Sequence, residues 1–187
     1  KGGKVEVSML ESALEYQFES VTCFFRDGGQ PTERPKTNSA HAYLGAPYGV
    51  YKTKNGNIAL AMGSIPFIGE LLGCAELANY PEVDSWFTQR DEIKGILANH
   101  LKTKNTKEWL AVLEPADIWC AEIMDWKTLF DEEAFKILEM VQKVQMSDGY
   151  GYETTRCPIQ VNGAWLKSEI GSPILGEHTD NINSEFA

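Results

Sequence analysis

The stretch Gly45–Ser64, GAPYGVYKTKNGNIALAMGS, constrains the fold more than any other part of the chain. Two short apolar-rich runs, Tyr48–Thr53 and Asn57–Met62, are joined across Lys54-Asn55-Gly56. Asn-Gly is the strongest short hairpin signal, because a type I′ turn needs positive φ at both central residues and these two types adopt it at least cost. The spacing predicts a hairpin with Val50, Ile58, Leu60 and Met62 on one face and Lys52, Lys54 and Asn57 in water. Gly45-Ala46-Pro47 leads in as a loop, and Gly63-Ser64-Ile65-Pro66 leads out into a helix start.

Totals set the class. With 187 residues, 43% of them hydrophobic and 24% charged, the chain can bury one ordinary core, or one domain plus a fragment of another. A net charge of −10 argues against a nucleic-acid backbone as partner, which needs clustered Lys and Arg. Apolar runs fall short of a membrane span, and no secretory signal opens the chain. It starts without Met, so the expectation is that it begins partway through something longer. Cys23, Cys74, Cys120 and Cys157 lie far apart with no C-x-x-C pair, which predicts reduced, mostly buried thiols and a cytoplasmic location.

Along the chain, Val5-Glu6-Val7-Ser8 reads as a strand end with Ser8 as N-cap. Leu10, Leu14, Phe18, Val21 and Phe25 recur at helical spacing, a core stripe stopped by Asp27-Gly28-Gly29. Gln30–Ala42 is a polar connector and the expected domain boundary. Helices are predicted over Pro66–Leu72, closed by Gly73, and over Gln89–Lys102, with Ile93, Ile96, Leu97 and Leu101 inward and Arg90, Asp91, Glu92 and Lys94 elsewhere. Asn105-Thr106-Lys107-Glu108 is a capping box opening a helix with Trp109, Leu110 and Leu113. Ile118–Ile123 fits a third strand beside the hairpin, Asp125–Asp131 and Glu132–Leu138 read as helical turns, and Met140–Gln145 as a strand. After a turn at Asp148–Gly151, Cys157–Val161 reads as an edge strand, and Thr179 or Asp180 caps a terminal turn.

Chemistry is sparse on this reading. There is no phosphate-cradling loop, nucleophile elbow or metal-binding helix motif. His41, His100 and His178 are read as solvated, as half-buried packing and as a helix-start contact, respectively. Tyr43–Pro47 is either an ordinary turn into the hairpin or a segment whose small residues let something approach closely.

Five motifs carry a resemblance that runs through nearly the whole chain. VEVSMLESA (Val5–Ala13) resembles the helix start that follows the first half of class III CoA-transferases, the CaiB/BaiF group. Ala46–Gly63 is similar to the family's P-Y-G-x-Y-x-T-x-D-G-x-I-A-L-A hairpin, with Asn55 where Asp is usual. Ala116–Ile123 resembles its G-I-P-C-x-x-V strand, with Asp117 and Trp119 replacing Gly and Pro. Pro158–Gly163 resembles its P-I-x-x-S-G edge strand, and PILGEHTD (Pro173–Asp180) its P-x-L-G-E-H-T-D signature.

The resemblance implies an α+β fold: a small domain with a short antiparallel sheet, hairpin plus third strand, flanked by helices, together with segments of a larger α/β domain. Residues 1–44 and 125–187 would belong to the large domain, and residues 45–124 would form the small one. It implies transfer of CoA between carboxylic acids through an Asp nucleophile lying in an absent N-terminal half. No catalytic residue falls in this chain, which alone is expected to be inactive. Met9 would lie close to bound CoA (core packing is its other reading). Tyr43, Leu44, Gly45, Ala46 and Pro47 would match a mobile loop over the intermediates. CoA and acyl-CoA are then substrates, with no further cofactor and no metal, and the intact protein is an interlocked homodimer. An alpha-methylacyl-CoA racemase of the same family, or a non-catalytic binding or scaffold module, are the alternatives.

Overall fold

The computed structural model describes residues 3–30, 33–38 and 41–186. Expectations for residues 31, 32, 39 and 40 of the connector lie outside that range. The chain divides into two compact units, Lys1–Ile123 and Met124–Ala187.

The first unit opens with α1 (Met9–Tyr16) and α2 (Phe18–Arg26). Residues 3–8 form no strand, contrary to expectation, but Ser8 caps α1 by accepting from the Glu11 amide. The single long helix expected here is two, broken at Gln17, whose amide turns back to the Glu15 and Leu14 carbonyls. Its apolar stripe is not a core face in this chain: Met9 is 91% exposed, and Leu10, Leu14, Phe18 and Phe25 are exposed too.

The hairpin is present as β1 (Gly49–Lys52) and β2 (Asn57–Leu60), and β3 (Cys120–Glu122) adds antiparallel to β2. Two details differ from expectation. Register places Tyr51 opposite Ile58 and Val50 opposite Ala59, so Tyr51 joins Ile58 and Leu60 inside while Val50 and Met62 stay outside. Paired residues share a face, and Val50 therefore cannot share one with Ile58.

The turn is also not type I′, since neither Asn55 nor Gly56 has positive φ. Thr53 N–H donates to the Gly56 carbonyl (2.9 Å), and Asn55 Oδ1 instead accepts the Thr106 amide (2.9 Å). Asn55 thus serves as a long-range cap for α6 (Thr106–Leu113), alongside the expected capping box, in which Asn105 N–H donates to Glu108 Oε2 (2.9 Å). A carboxylate here would add full negative charge at a helix N-terminus. Asn55→Asp is expected to raise stability by about 0.5–1 kcal/mol; a lower urea midpoint would contradict this role.

Beneath the sheet lie α3 (Ile65–Leu72), closed by left-handed Gly73, and a 3-10 turn over Ala75–Asn79. The short α4 (Ser85–Thr88), α5 (Arg90–Leu101) and α6 follow. Ile65, Ile68, Leu77, Ile93, Leu97 and Trp109 make up much of the core with Tyr51 and Ile58. Lys94, expected off the inward face of α5, is wholly buried. Its spacing to Leu97 and Leu101 puts it on the inward stripe.

In the second unit, α7 (Trp126–Asp131) and α8 (Glu133–Leu138) form as expected, with Asp125 capping the Thr128 amide at 2.8 Å. The strand β4 (Val141–Gln145) pairs with β5 (Gly151–Thr155), a strand the sequence reading passed over. The expected edge strand shrinks to β6 (Gln160–Val161), paired with β7 (Ala164–Trp165) across Asn162-Gly163. Both of these residues have positive φ (52° and 82°), so the Asn-Gly turn geometry expected at Asn55-Gly56 occurs here. The terminal turn is a full helix, α9 (Thr179–Phe186), with His178 carbonyl accepting the Ile182 amide.

Candidate functional site

Of the residues singled out by sequence, Tyr43–Pro47 form a continuous, packed approach to β1. Ala46 N–H donates to the Trp86 carbonyl at 2.7 Å, and the Pro47 carbonyl accepts from Tyr51 Oη at 2.6 Å. Trp86 is itself held by Nε1–H donation to the Tyr80 carbonyl (2.9 Å). Ala46 and Pro47 are buried, joined by a cis peptide bond, while Tyr43 and Leu44 are half-buried. Burial pushes the Tyr51 phenol well above its ordinary range, so it donates as a neutral hydroxyl.

Gly45 is required by close approach: a Cβ there would lie 2.7 Å from the Trp86 carbonyl oxygen. That neighbour is backbone and cannot swing aside. Gly45→Ala is expected to cost about 1–3 kcal/mol. Gly95→Ala, on α5 with open space around it, should instead stabilise by about 0.5–1 kcal/mol. Urea midpoints of the two variants moving in the same direction would contradict the packing assigned to Gly45.

Upstream, Tyr43 N–H donates to His41 Nδ1 (3.2 Å), with the two rings 6.2 Å apart. His41 is half-buried rather than solvated. His100 is half-buried as expected, its Nε2 2.9 Å from the Leu72 carbonyl and its ring 5.4 Å from Trp109. Met9 stands on α1; no hydrogen bond or ring contact joins it to Tyr43–Pro47 among the described residues.

The Pro173–Asp180 segment is ordered by its own glutamate. Glu177 Oε2 accepts the Ile174 amide at 2.8 Å, and this bond, followed by one from Ser147, holds the carboxyl below its usual value. Gly176 at φ 81° gives its carbonyl to the Thr179 amide, which opens α9. His178 is exposed. Cys74 is buried and the other three cysteines are intermediate, all free, and burial raises the Cys74 and Cys120 thiols. Among the described residues, no group of His, Cys, Asp or Glu could hold a metal ion, and no helix is long and apolar enough to cross a membrane.

Two buried cations were missed by sequence reading. Arg156 gives three donors to backbone carbonyls: Nε to Glu139 (2.9 Å), Nη1 to Cys157 (2.9 Å) and Nη2 to Leu138 (2.6 Å). Its guanidinium lies 3.5 Å over the Trp165 ring. Nothing in the run ETTRCP signals this. Lys94 is the second, and its helical spacing was the available clue.

This fold, with its hairpin, third strand and glutamate-locked terminal turn, belongs to CoA-transferase family III, whose model matches residues 1–179. The chain is 22% identical over its full length to acetyl-CoA:oxalate CoA-transferase of Acetobacter aceti, covering 48% of that protein. It is 24% identical over 97% of its length to (R)-2-hydroxy-4-methylpentanoate CoA-transferase of Clostridioides difficile, covering 46% of it. It therefore spans about half the length of these curated relatives. A solved structure of Rv3272 from Mycobacterium tuberculosis superposes with a TM-score of 0.66 at 18% identity, over 94% of this chain and 46% of the other. A CAIB/BAIF family protein from Brucella suis gives 0.63 at 23% identity, over 92% and 45%.

Proposed function

We propose that this chain is the C-terminal part of a class III CoA-transferase that moves CoA between carboxylic acids through an aspartyl-CoA thioester. The Asp nucleophile is carried by an N-terminal half outside these residues. The observation that carries this reading is the family match over residues 1–179 in a chain half as long as two CoA-transferase relatives. The bare apolar stripe of α1 and α2 supports it, since exposed apolar surface of this extent calls for a covering element.

In this reading the chain encloses and positions, and alone it is inactive. Met9 and Tyr43–Pro47 lie beside CoA and the acyl group, and the intact enzyme is an interlocked homodimer of the cytoplasm. Pinned at Ala46 and Pro47, the segment would move chiefly through Tyr43 and Leu44.

The test uses the full-length protein, with acetyl-CoA as donor and oxalate and 2-hydroxy-4-methylpentanoate as acceptors. CoA transfer to a carboxylic acid is the expected result. Exchange of the α-proton of a 2-methylacyl-CoA without CoA transfer would overturn it in favour of a racemase.

A further inference from the structure

Residues 33–38 run from α5 to β1 at a place where a buried amine has no partner. Glu33 carbonyl accepts from Arg90 Nη2, and Lys36 N–H donates to Asp91 Oδ1 at 2.6 Å. Between these two anchors Pro35 is buried although Glu33, Arg34 and Lys36 are exposed. Further on, the Asn38 carbonyl lies so close to Gly49 that a Cβ there would sit 1.9 Å away. The strap therefore closes over the seam where α5 packs on β1.

Lys94 lies one turn beyond both anchors on the same face of α5, three residues from Asp91 and four from Arg90. Its side chain is wholly buried and Nζ has no hydrogen-bond partner. An ammonium in that setting is costly, whereas a neutral amine is tolerated.

We propose that residues 33–38 are a proton-controlled strap: closed over a neutral Lys94 amine, and open when Lys94 is an ammonium that takes Asp91 from the Lys36 amide. Asp91 is the exchanged group. In the closed state its carboxylate holds the strap; in the open state it faces a cation at i+3, a spacing at which helix side chains pair.

The surrounding charges fit this assignment. Burial first, then the Arg90 guanidinium, hold Lys94 below the ordinary lysine value, with Asp91 opposing. Packed elements bring Tyr51 and the outward Lys52 from β1, and Glu76 from the 3-10 turn. The strap brings Glu33, Arg34 and Lys36. Because the closed state disfavours the proton, opening takes one up. Opening is therefore favoured at lower pH and lost as pH rises toward the ordinary lysine value.

Trypsin cleavage after Lys36 in the full chain reads the open population when opening and closing are fast. Rates are normalised to a peptide of the same sequence and followed by mass spectrometry from pH 7 to 10. For the wild type, normalised cleavage should fall with rising pH, by up to about tenfold per unit for one linked proton. Lys94→Met should be protected and flat with pH, and Lys94→Arg, permanently charged, should be cleaved fast and flat. Equal rates and slopes for wild type and Lys94→Met would overturn the proposal, as would a Lys94→Arg chain protected like Lys94→Met. If Lys94→Arg fails to fold, the wild-type and Lys94→Met profiles decide.

Discussion

Replacing Arg156 with methionine is expected to unfold the Met124–Ala187 unit, with a loss of about 4 kcal/mol or more. The unit has little else to hold it: Val144 is the only buried apolar side chain among its described residues. Arg156 is 2% exposed, and its three donors tie the end of α8, at Leu138 and Glu139, to the segment leaving β5 at Cys157. Hydrogen bonds from a charged donor contribute roughly 1.5–3 kcal/mol each, and methionine would leave the carbonyls unmet. It would also remove the cation over Trp165. At roughly 0.05–0.15 kcal/mol per residue, a unit of this size holds only about 3–10 kcal/mol in all, so the loss removes much or all of its stability. Amide NMR should show the β4–β5 peaks collapsing while the β1–β3 sheet keeps its own. Lysine should rescue poorly, because a single ammonium cannot reproduce a planar fork reaching three acceptors. Intact β4–β5 peaks in the methionine variant would contradict the role.

Trp109→Ala should be the most damaging single change in the first unit, at about 4–6 kcal/mol. The ring is 1% exposed, and its Nε1–H donates to the Leu101 carbonyl at 2.8 Å where α5 ends. The ring also packs beside His100 and beneath Lys104 Nζ, 4.6 Å from the ring centroid. Removing it opens a cavity between α5 and α6 and leaves a buried acceptor without a donor. Urea unfolding of this unit measures the loss; a value below about 2 kcal/mol would mean the surroundings collapse into the gap.

Local chemistry made much of this fold legible. Ser8, Gly73 and the Asn105–Glu108 box mark helix ends because each satisfies amides or adopts a backbone conformation that few residue types can. The β1–β2 hairpin and its third strand followed from apolar patterning. Its facing did not: Tyr51, whose hydroxyl donates to the Pro47 carbonyl, pairs with Ile58 on the inward face where Val50 was expected, and alternation does not reveal that contact. Asn-Gly predicted the wrong turn at Asn55-Gly56, where tertiary demand for a cap on α6 overrode local preference; the geometry it favours occurs instead at Asn162-Gly163, where no turn was expected. Strand β5 was passed over because Gly151-Tyr-Glu-Thr-Thr155 lacks an apolar face and is exposed almost throughout. Arg156 was unreadable as a buried cation, because its burial depends on carbonyls brought from distant sequence, whereas Lys94 could have been found from its spacing to Leu97 and Leu101. At the candidate site, the small residues of Gly45-Ala46-Pro47 pointed to close approach, but only the fold identifies the Trp86 carbonyl as what approaches.

CoA exchange, measured with labelled acceptor acid for this 187-residue chain alone and again after co-expression with an N-terminal half of the family, tests the central proposal most directly. No turnover by the chain alone and restored transfer in the reassembled protein are the expected results. Steady turnover by the isolated chain would contradict it, because the reacting carboxylate would then have to lie among these residues.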